Sequence, residues 1–190
     1  MKGARAVLRG GGGGNVTFLP DLEHMHNVQA IIANRLALTP KLADFRHAVL
    51  FPLTSELALL PITDEFAHEI RGYRVEAGAS VEPSVSSLSP GLVLFAKEVS
   101  RSTAVAYIAT FYVGGYGGQD AVVWETEQLV FGPTNERYND VWPNSAISQA
   151  LRKLGIIAAE GEDEFDTVGL GRYRATHRWA KAVENGHGLS

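Results

Sequence analysis

Ala104-Val105-Ala106-Tyr107-Ile108-Ala109-Thr110-Phe111-Tyr112-Val113 is the stretch on which the fold turns. It is rich in aromatic and β-branched residues and apolar at both odd and even positions, the pattern of a central strand covered on each face. Gly114-Gly115-Tyr116-Gly117-Gly118 then turns the chain. Ala121 to Glu125 returns as a second strand. After a turn at Glu125-Thr126-Glu127, Gln128 to Phe131 makes a third, which Gly132-Pro133 closes. Connections this short cannot make a parallel crossover, so the strands run antiparallel. The expected fold class is α+β, an antiparallel β-meander of three to five strands packed with helices.

Working outward, Asn144 or Ser145 caps a helix whose apolar positions Ile147, Ala150, Leu151 and Leu154 share one face, with Gly155 as its stop. Ile156-Ile157 reads as the start of a strand and Thr167 to Arg174 as a final one. Upstream, Ser89-Pro90 is a cap followed by a first-turn proline, and Leu92, Phe95, Ala96 and Val99 give a helix from 90 to 101. Thr63 caps another, with Asp64 and Glu65 at the positive end of its dipole, Phe66, Ala67 and Ile70 as its buried stripe, and Gly72 as its end. Leu53 to Leu60 is a short segment broken by Pro61, and residues 76–87 are polar and small, a loop. Met25, Val28, Ile32 and Leu36 recur at spacings of three and four, which predicts a helix over 21–38. Thr39-Pro40 restarts the chain, and Leu42, Phe45 and Val49 continue an apolar face. Gly10 to Gly14 is a linker by composition. The expected organisation is a disordered Gly-rich tail over 1–14, an N-terminal helical arm over 15–52, an α+β domain over 53–179 and a flexible C-terminal tail over 180–190.

The 190 residues, 45% hydrophobic and 20% charged, fit one domain or a domain with an appendage, and exclude a collagen, a coiled coil and a wholly disordered chain. No apolar run approaches the roughly 18 residues of a membrane span. Zero cysteines remove thiol nucleophiles and Cys-based zinc sites, and agree with a reducing cytoplasm. Lys2, Arg5 and Arg9 lead into the glycine run rather than into the apolar core of a signal peptide, so no secretion signal is read and the expected localisation is cytoplasmic. A net charge of −4 argues against a dedicated nucleic-acid binder; such a mild acidic excess mostly serves solubility, with a cationic protein partner as the sharper alternative.

Three blocks stand together: Gly114 to Trp124 (Gly-Gly-Tyr-Gly-Gly-Gln-Asp-Ala-Val-Val-Trp), Ile147 to Gly155 (Ile-Ser-Gln-Ala-Leu-Arg-Lys-Leu-Gly) and Asp163 to Arg172 (Asp-Glu-Phe-Asp-Thr-Val-Gly-Leu-Gly-Arg). As a set they resemble a family of small uncharacterised bacterial proteins, over roughly residues 53–179. The resemblance implies no catalytic residues. Its small, solitary domain is similar in habit to immunity proteins of bacterial toxin systems.

Five acids crowd seven residues at Glu160, Glu162, Asp163, Glu164 and Asp166. They lack the spacing of a calcium loop and read as a solvated loop, as a docking patch for a basic partner, or as a patch neutralised by Arg172, Arg174, His177, Arg178 and Lys181. Tyr107, Phe111, Tyr112, Trp124 and Phe131 belong to a sheet core, whereas Tyr116, Tyr138 and Trp142 lie in loops, where aromatics anchor interfaces. His24-x-His26 would share a face on a strand and suit zinc, but within a helical pattern the two diverge and read as unrelated surface histidines. His47, His68, His177 and His187 are scattered, with no spacing that favours a site. Gly169-x-Gly171 lacks the strand and helix that an anion loop needs. No catalytic constellation, metal set or cofactor motif emerges. The expected function is a non-enzymatic binding protein, an immunity or inhibitor protein that occludes a basic toxin, without nucleic-acid or membrane partners. Its binding residues would be Tyr116, Tyr138, Trp142 and the five acids. The alternative is a small-molecule-binding protein or enzyme with a site near Asp166, Arg172 and His177.

Overall fold

Val105–Val113, here β4, is a central strand as its two apolar faces require. Val105, Tyr107 and Ala109 enter one core and Ala106 and Ile108 the other. The computed structural model describes residues 25–75, 88–113, 116–137 and 144–186. Within them the fold is α+β, one six-stranded antiparallel sheet with helices on both faces. The strands are β1 (Met25–Asn34), β2 (Phe51–Pro52), β3 (Leu57–Pro61), β4, β5 (Tyr116–Glu125) and β6 (Gln128–Arg137), in the order β2-β3-β1-β4-β5-β6. The helices are α1 (Arg35–Leu38), α2 (Asp64–Ile70), α3 (Pro90–Val99), α4 (Ala146–Lys153), α5 (Glu164–Thr167) and α6 (Thr176–Glu184).

The sheet is larger than the expected three to five strands because the segment expected as a helical arm over 15–52 supplies two of them, β1 and β2. β1 lies between β3 and β4, with Ile31 opposite both Leu60 and Tyr107. Val28, Ala30 and Ile32 face one core, Ile31 and Ala33 the other. An uninterrupted Ala30-Ile31-Ile32-Ala33 run has no period of its own, so a strand buried on both faces also satisfies the three-and-four spacing that suggested a helix. Among the described residues, helix there is confined to α1 and a 3-10 turn at Thr39–Lys41; α1 is started by Asn34, whose Oδ1 accepts from the Leu36 N–H at 2.9 Å. Leu57–Pro61 is likewise a strand, buried throughout.

β5 and β6 are longer than their sequence suggested. Gly117 lies inside β5, where a Cβ would collide with the Phe111 carbonyl of β4. Gly132-Pro133 does not close β6. The strand runs on to Arg137 with a register shift, since an edge strand tolerates a proline that offers no N–H. The β5–β6 turn places two non-glycine residues at positive φ, Thr126 (48°) and Glu127 (64°). Ser100 clamps it: its carbonyl accepts from the Thr126 N–H at 2.8 Å and its Oγ from the Glu127 N–H at 2.9 Å.

On one face α2 and α3 press Phe66, Ile70, Leu92, Phe95 and Val99 onto Ile31, Leu60, Tyr107, Val122 and Trp124. Their caps are those the sequence announced: Thr63 Oγ1 accepts from the Phe66 N–H and Ser89 Oγ from the Leu92 N–H. Glu98, buried on α3, gathers Lys41 Nζ (2.6 Å), the Tyr73 hydroxyl (2.7 Å) and Arg74 (2.8 Å). Burial works to raise its pKa, but the hydrogen bonds from Lys41 and Tyr73 and the nearby positive charges outweigh that and hold the carboxyl below its ordinary value.

On the other face α4 and α6 pack against Val28, Ala30, Ile32, Ala106, Ile108 and Val123. Ser145 caps α4 as expected, accepting from the Ser148 N–H. The expected frayed tail begins too early, because α6 continues to Glu184 and buries Trp179 and Ala182. Trp179 stands edge-on to Phe51 (4.9 Å) and Tyr173 (5.0 Å) and donates to the Tyr173 carbonyl at 3.0 Å. Thr167 to Arg174 forms no strand; it holds the end of α5 and a 3-10 turn at Leu170–Arg172, and only Ala175 bridges to the sheet, at Asn27. Ile156-Ile157 starts no strand either.

Candidate functional site

The acidic segment divides into structural and free carboxylates. Asp163 is the N-cap of α5, its Oδ1 accepting from the Asp166 N–H at 2.9 Å. Glu164 is buried, and its Oε1 accepts from Arg152 Nε at 2.6 Å, which ties α5 to α4. That hydrogen bond holds the Glu164 carboxyl below its usual pKa in spite of burial. Arg152 also donates to Asn144 Oδ1 at 2.8 Å. Glu160, Glu162 and Asp166 face solvent. Burial, then the negative charges of Asp163 and Glu162, push the Asp166 carboxyl up.

The expected internal partners of these acids are elsewhere. Arg172 stands over the Phe51 ring at 5.9 Å, and among the described residues no ion pair joins Arg172, Arg174 or Arg178 to the acidic segment. The one internal pair comes from Arg152. Asp166, Arg172 and His177 share no hydrogen bond or ion pair among the described residues. Tyr116 opens β5 and is 72% exposed. Tyr138, Trp142, the 1–14 tail, the 76–87 loop, His24 and His187 lie outside the described residues.

His26 is on a strand, not a helix. Its Nδ1 is 2.7 Å from Thr110 Oγ1, which also accepts from the Val28 N–H at 3.1 Å. Its Nε2 is buried with no hydrogen-bond partner. Burial and then Arg174 depress its pKa, so the ring is held neutral.

Sequence reasoning missed a cleft. His47, His68 and His177, far apart in the chain, surround two adjoining cavities. The larger, about 730 Å³, is lined by Arg46, His47, Asp64, Glu65, His68 and Glu69. The smaller, about 460 Å³, shares Arg46, His47 and Glu65 and reaches His177, Lys181 and Glu184 of α6. The cap at Thr63 sets Asp64 and Glu65 in the first turn of α2, and a helical turn later His68 and Glu69 repeat them on the same side. Glu69 fastens the opposite wall: its carboxylate accepts from the backbone N–H of Arg46 (2.7 Å) and His47 (3.0 Å) and lies 3.3 Å from His47 Nδ1. Those two N–H groups lower the Glu69 pKa; its own N–H and the Thr63 hydroxyl lower that of Glu65. Both are therefore anionic across the neutral range, and the cleft can receive a positively charged group.

The spacing Asp64-Glu65-x-x-His68-Glu69 is visible in the sequence as one polar helix face; its opposite walls are not. Among the described residues no group of three or more His, Asp or Glu side chains is arranged to hold a metal ion. No helix among them is long and apolar enough to cross a membrane. No known protein family matches the chain, and neither does any curated protein or solved structure.

Proposed function

We propose that this chain is a non-enzymatic binding protein of the immunity or inhibitor class, which acts in the cytoplasm by covering the working surface of a basic toxin. The observation that carries this reading is the negative charge left over on the acidic segment. Among the described residues, of its five carboxylates only Glu164 has a cationic partner, while Glu160, Glu162 and Asp166 are exposed. Burial raises the Asp166 pKa most, and the negative charges of Asp163 and Glu162 add to it. Like charges kept together in solvent repel one another, and a basic surface relieves them on docking. Exposed Tyr116 adds an aromatic anchor of the kind that fills partner pockets.

The test is co-expression with the products of the adjacent reading frames, with growth as the readout. One of those products should arrest growth alone and be neutralised by this chain. If no neighbouring product is toxic, or if toxicity is unaffected by the chain, the reading is wrong.

A further inference from the structure

On the side away from β4, β1 is closed by two neighbours in succession. From Ala30 onward β3 pairs with it; before that comes the short segment Arg174–Thr176 that leads into α6. The Asn27 N–H donates to the Arg174 carbonyl at 2.7 Å, the Gln29 N–H to Thr176 Oγ1 at 2.9 Å, and the Thr176 hydroxyl to the Asn27 carbonyl at 3.3 Å. We propose that this segment is an acid-released strap: protonation of His26, the residue before Asn27, frees Arg174–Thr176 from β1 and opens that edge of the sheet.

The pocket around His26 fits a neutral ring and opposes a charged one. Nδ1 is 2.7 Å from Thr110 Oγ1, which already accepts from the Val28 N–H. Nε2 is buried without a hydrogen-bond partner, so a proton on each ring nitrogen leaves one buried N–H with no acceptor. Around the ring β4 presents Thr110 and, directly across in register, Tyr112; α5 presents Phe165, its ring centroid 6.1 Å away; the strap presents Arg174. Of the acids flanking Phe165, Glu164 is engaged by Arg152 and Asp166 is exposed. Burial first, and then the like charge of Arg174, depress the ring's pKa from 6.5. Releasing the strap takes Arg174 away and admits water to Nε2, and both changes favour the proton. The hold on β1 is three hydrogen bonds, against the long β1–β4 ladder on the other side, so the strap yields first. Trp179, seated edge-on between Phe51 and Tyr173, keeps the body of α6 in place and confines the opening to its start.

Hydrogen exchange of the full chain, followed by NMR at about pH 7 and about pH 5.5 and corrected for the intrinsic pH dependence of amide exchange, reads the strap directly. Below 6.5 and above the folded value the open form holds one proton more than the closed form, so opening grows by up to about tenfold per pH unit. The proposal expects protection at Asn27 and Gln29 to fall about fivefold between the two pH values and to be insensitive to sub-denaturing urea. Ile108, in the centre of the sheet, should instead lose protection with urea, as global unfolding requires. His26→Gln should abolish the fall at Asn27 and Gln29. Arg174→Gln keeps the carbonyl of the strap and removes the like charge at an exposed position; it should move the His26 titration, read from the ring resonances, toward 6.5 and lessen the fall. Protection at Asn27 and Gln29 that is indifferent to pH, or that shares the urea dependence of Ile108, would overturn the strap. So would a fall that persists in His26→Gln. Should His26→Gln fail to fold, Arg174→Gln decides alone, and an unmoved His26 titration with an unchanged fall would overturn the proposal.

Discussion

Arg152 in the last turn of α4 donates to the buried carboxylate of Glu164 at the start of α5, with N···O 2.6 Å. This one contact decides how the acidic segment is to be probed, because it makes Glu164 part of the framework. Glu164→Gln should destabilise the fold by about 1–2 kcal/mol and Glu164→Lys by about 3, values below those of a fully buried pair because Arg152 is 37% exposed. Since the folded carboxyl is held below its ordinary pKa, its contribution is present above the normal carboxylate range and disappears as pH falls through the folded value. Denaturant titration between neutral and acid pH should show a shallower acid limb in Glu164→Gln than in the parent.

His26 gives a second pH effect. Its folded pKa is depressed from 6.5, so the unfolded chain takes up the proton first. Its stabilisation is complete above that ordinary value and is lost as pH falls from there through the folded value. His26→Phe, which keeps a ring beside Phe165, should flatten the loss of stability as pH falls from the ordinary histidine value of 6.5. An unchanged profile would mean that the orphaned Nε2 finds a partner in solution.

Trp124, 1% exposed in the core beneath α3, should cost about 3–5 kcal/mol on substitution by Ala. Denaturant unfolding measures it. A variant of normal stability would remove Trp124 from the core.

Thr126 is β-branched and holds φ at 48° in the β5–β6 turn. Asn accepts this region more readily, so Thr126→Asn should raise stability by about 0.5–1 kcal/mol, seen as a higher thermal midpoint. A lower midpoint would show that the Thr126 hydroxyl bond to the Glu125 carbonyl outweighs the backbone strain.

What was legible in the sequence was local. The caps at Thr63, Ser89 and Ser145 and the two-faced pattern of β4 each depend on neighbours a few residues away; the caps are found as expected, and β4 is buried from Val105 to Thr110, whereas Phe111, expected in the core, is exposed. β1 was not legible, because Ala30 to Ala33 is buried on both faces and carries no period; its register with Ala58 to Pro61 and with Val105 to Ile108 selects the strand. The cleft was hidden for the same kind of reason. Glu69 reaches back 22 residues to the His47 N–H, and His177 arrives on a helix whose place depends on burying Trp179. No spacing in the chain encodes those meetings. The acidic segment was visible as charge, but its division was not, since Arg152 lies 12 residues before Glu164 on another helix.

That division names the residues that reversal must spare. Glu160, Glu162 and Asp166 converted to Lys should leave the circular dichroism spectrum and thermal midpoint nearly unchanged, because all three are exposed. A cooperative loss of structure would show that these acids support the fold rather than a partner.

The most direct measurement is calorimetric titration of the full chain with the basic toxin proposed as its partner, at about 50 and about 300 mM salt. The account predicts a one-to-one complex whose affinity falls as salt rises and is lost in the triple lysine variant. Neutralisation without a complex, or a complex indifferent to both salt and charge reversal, would contradict it.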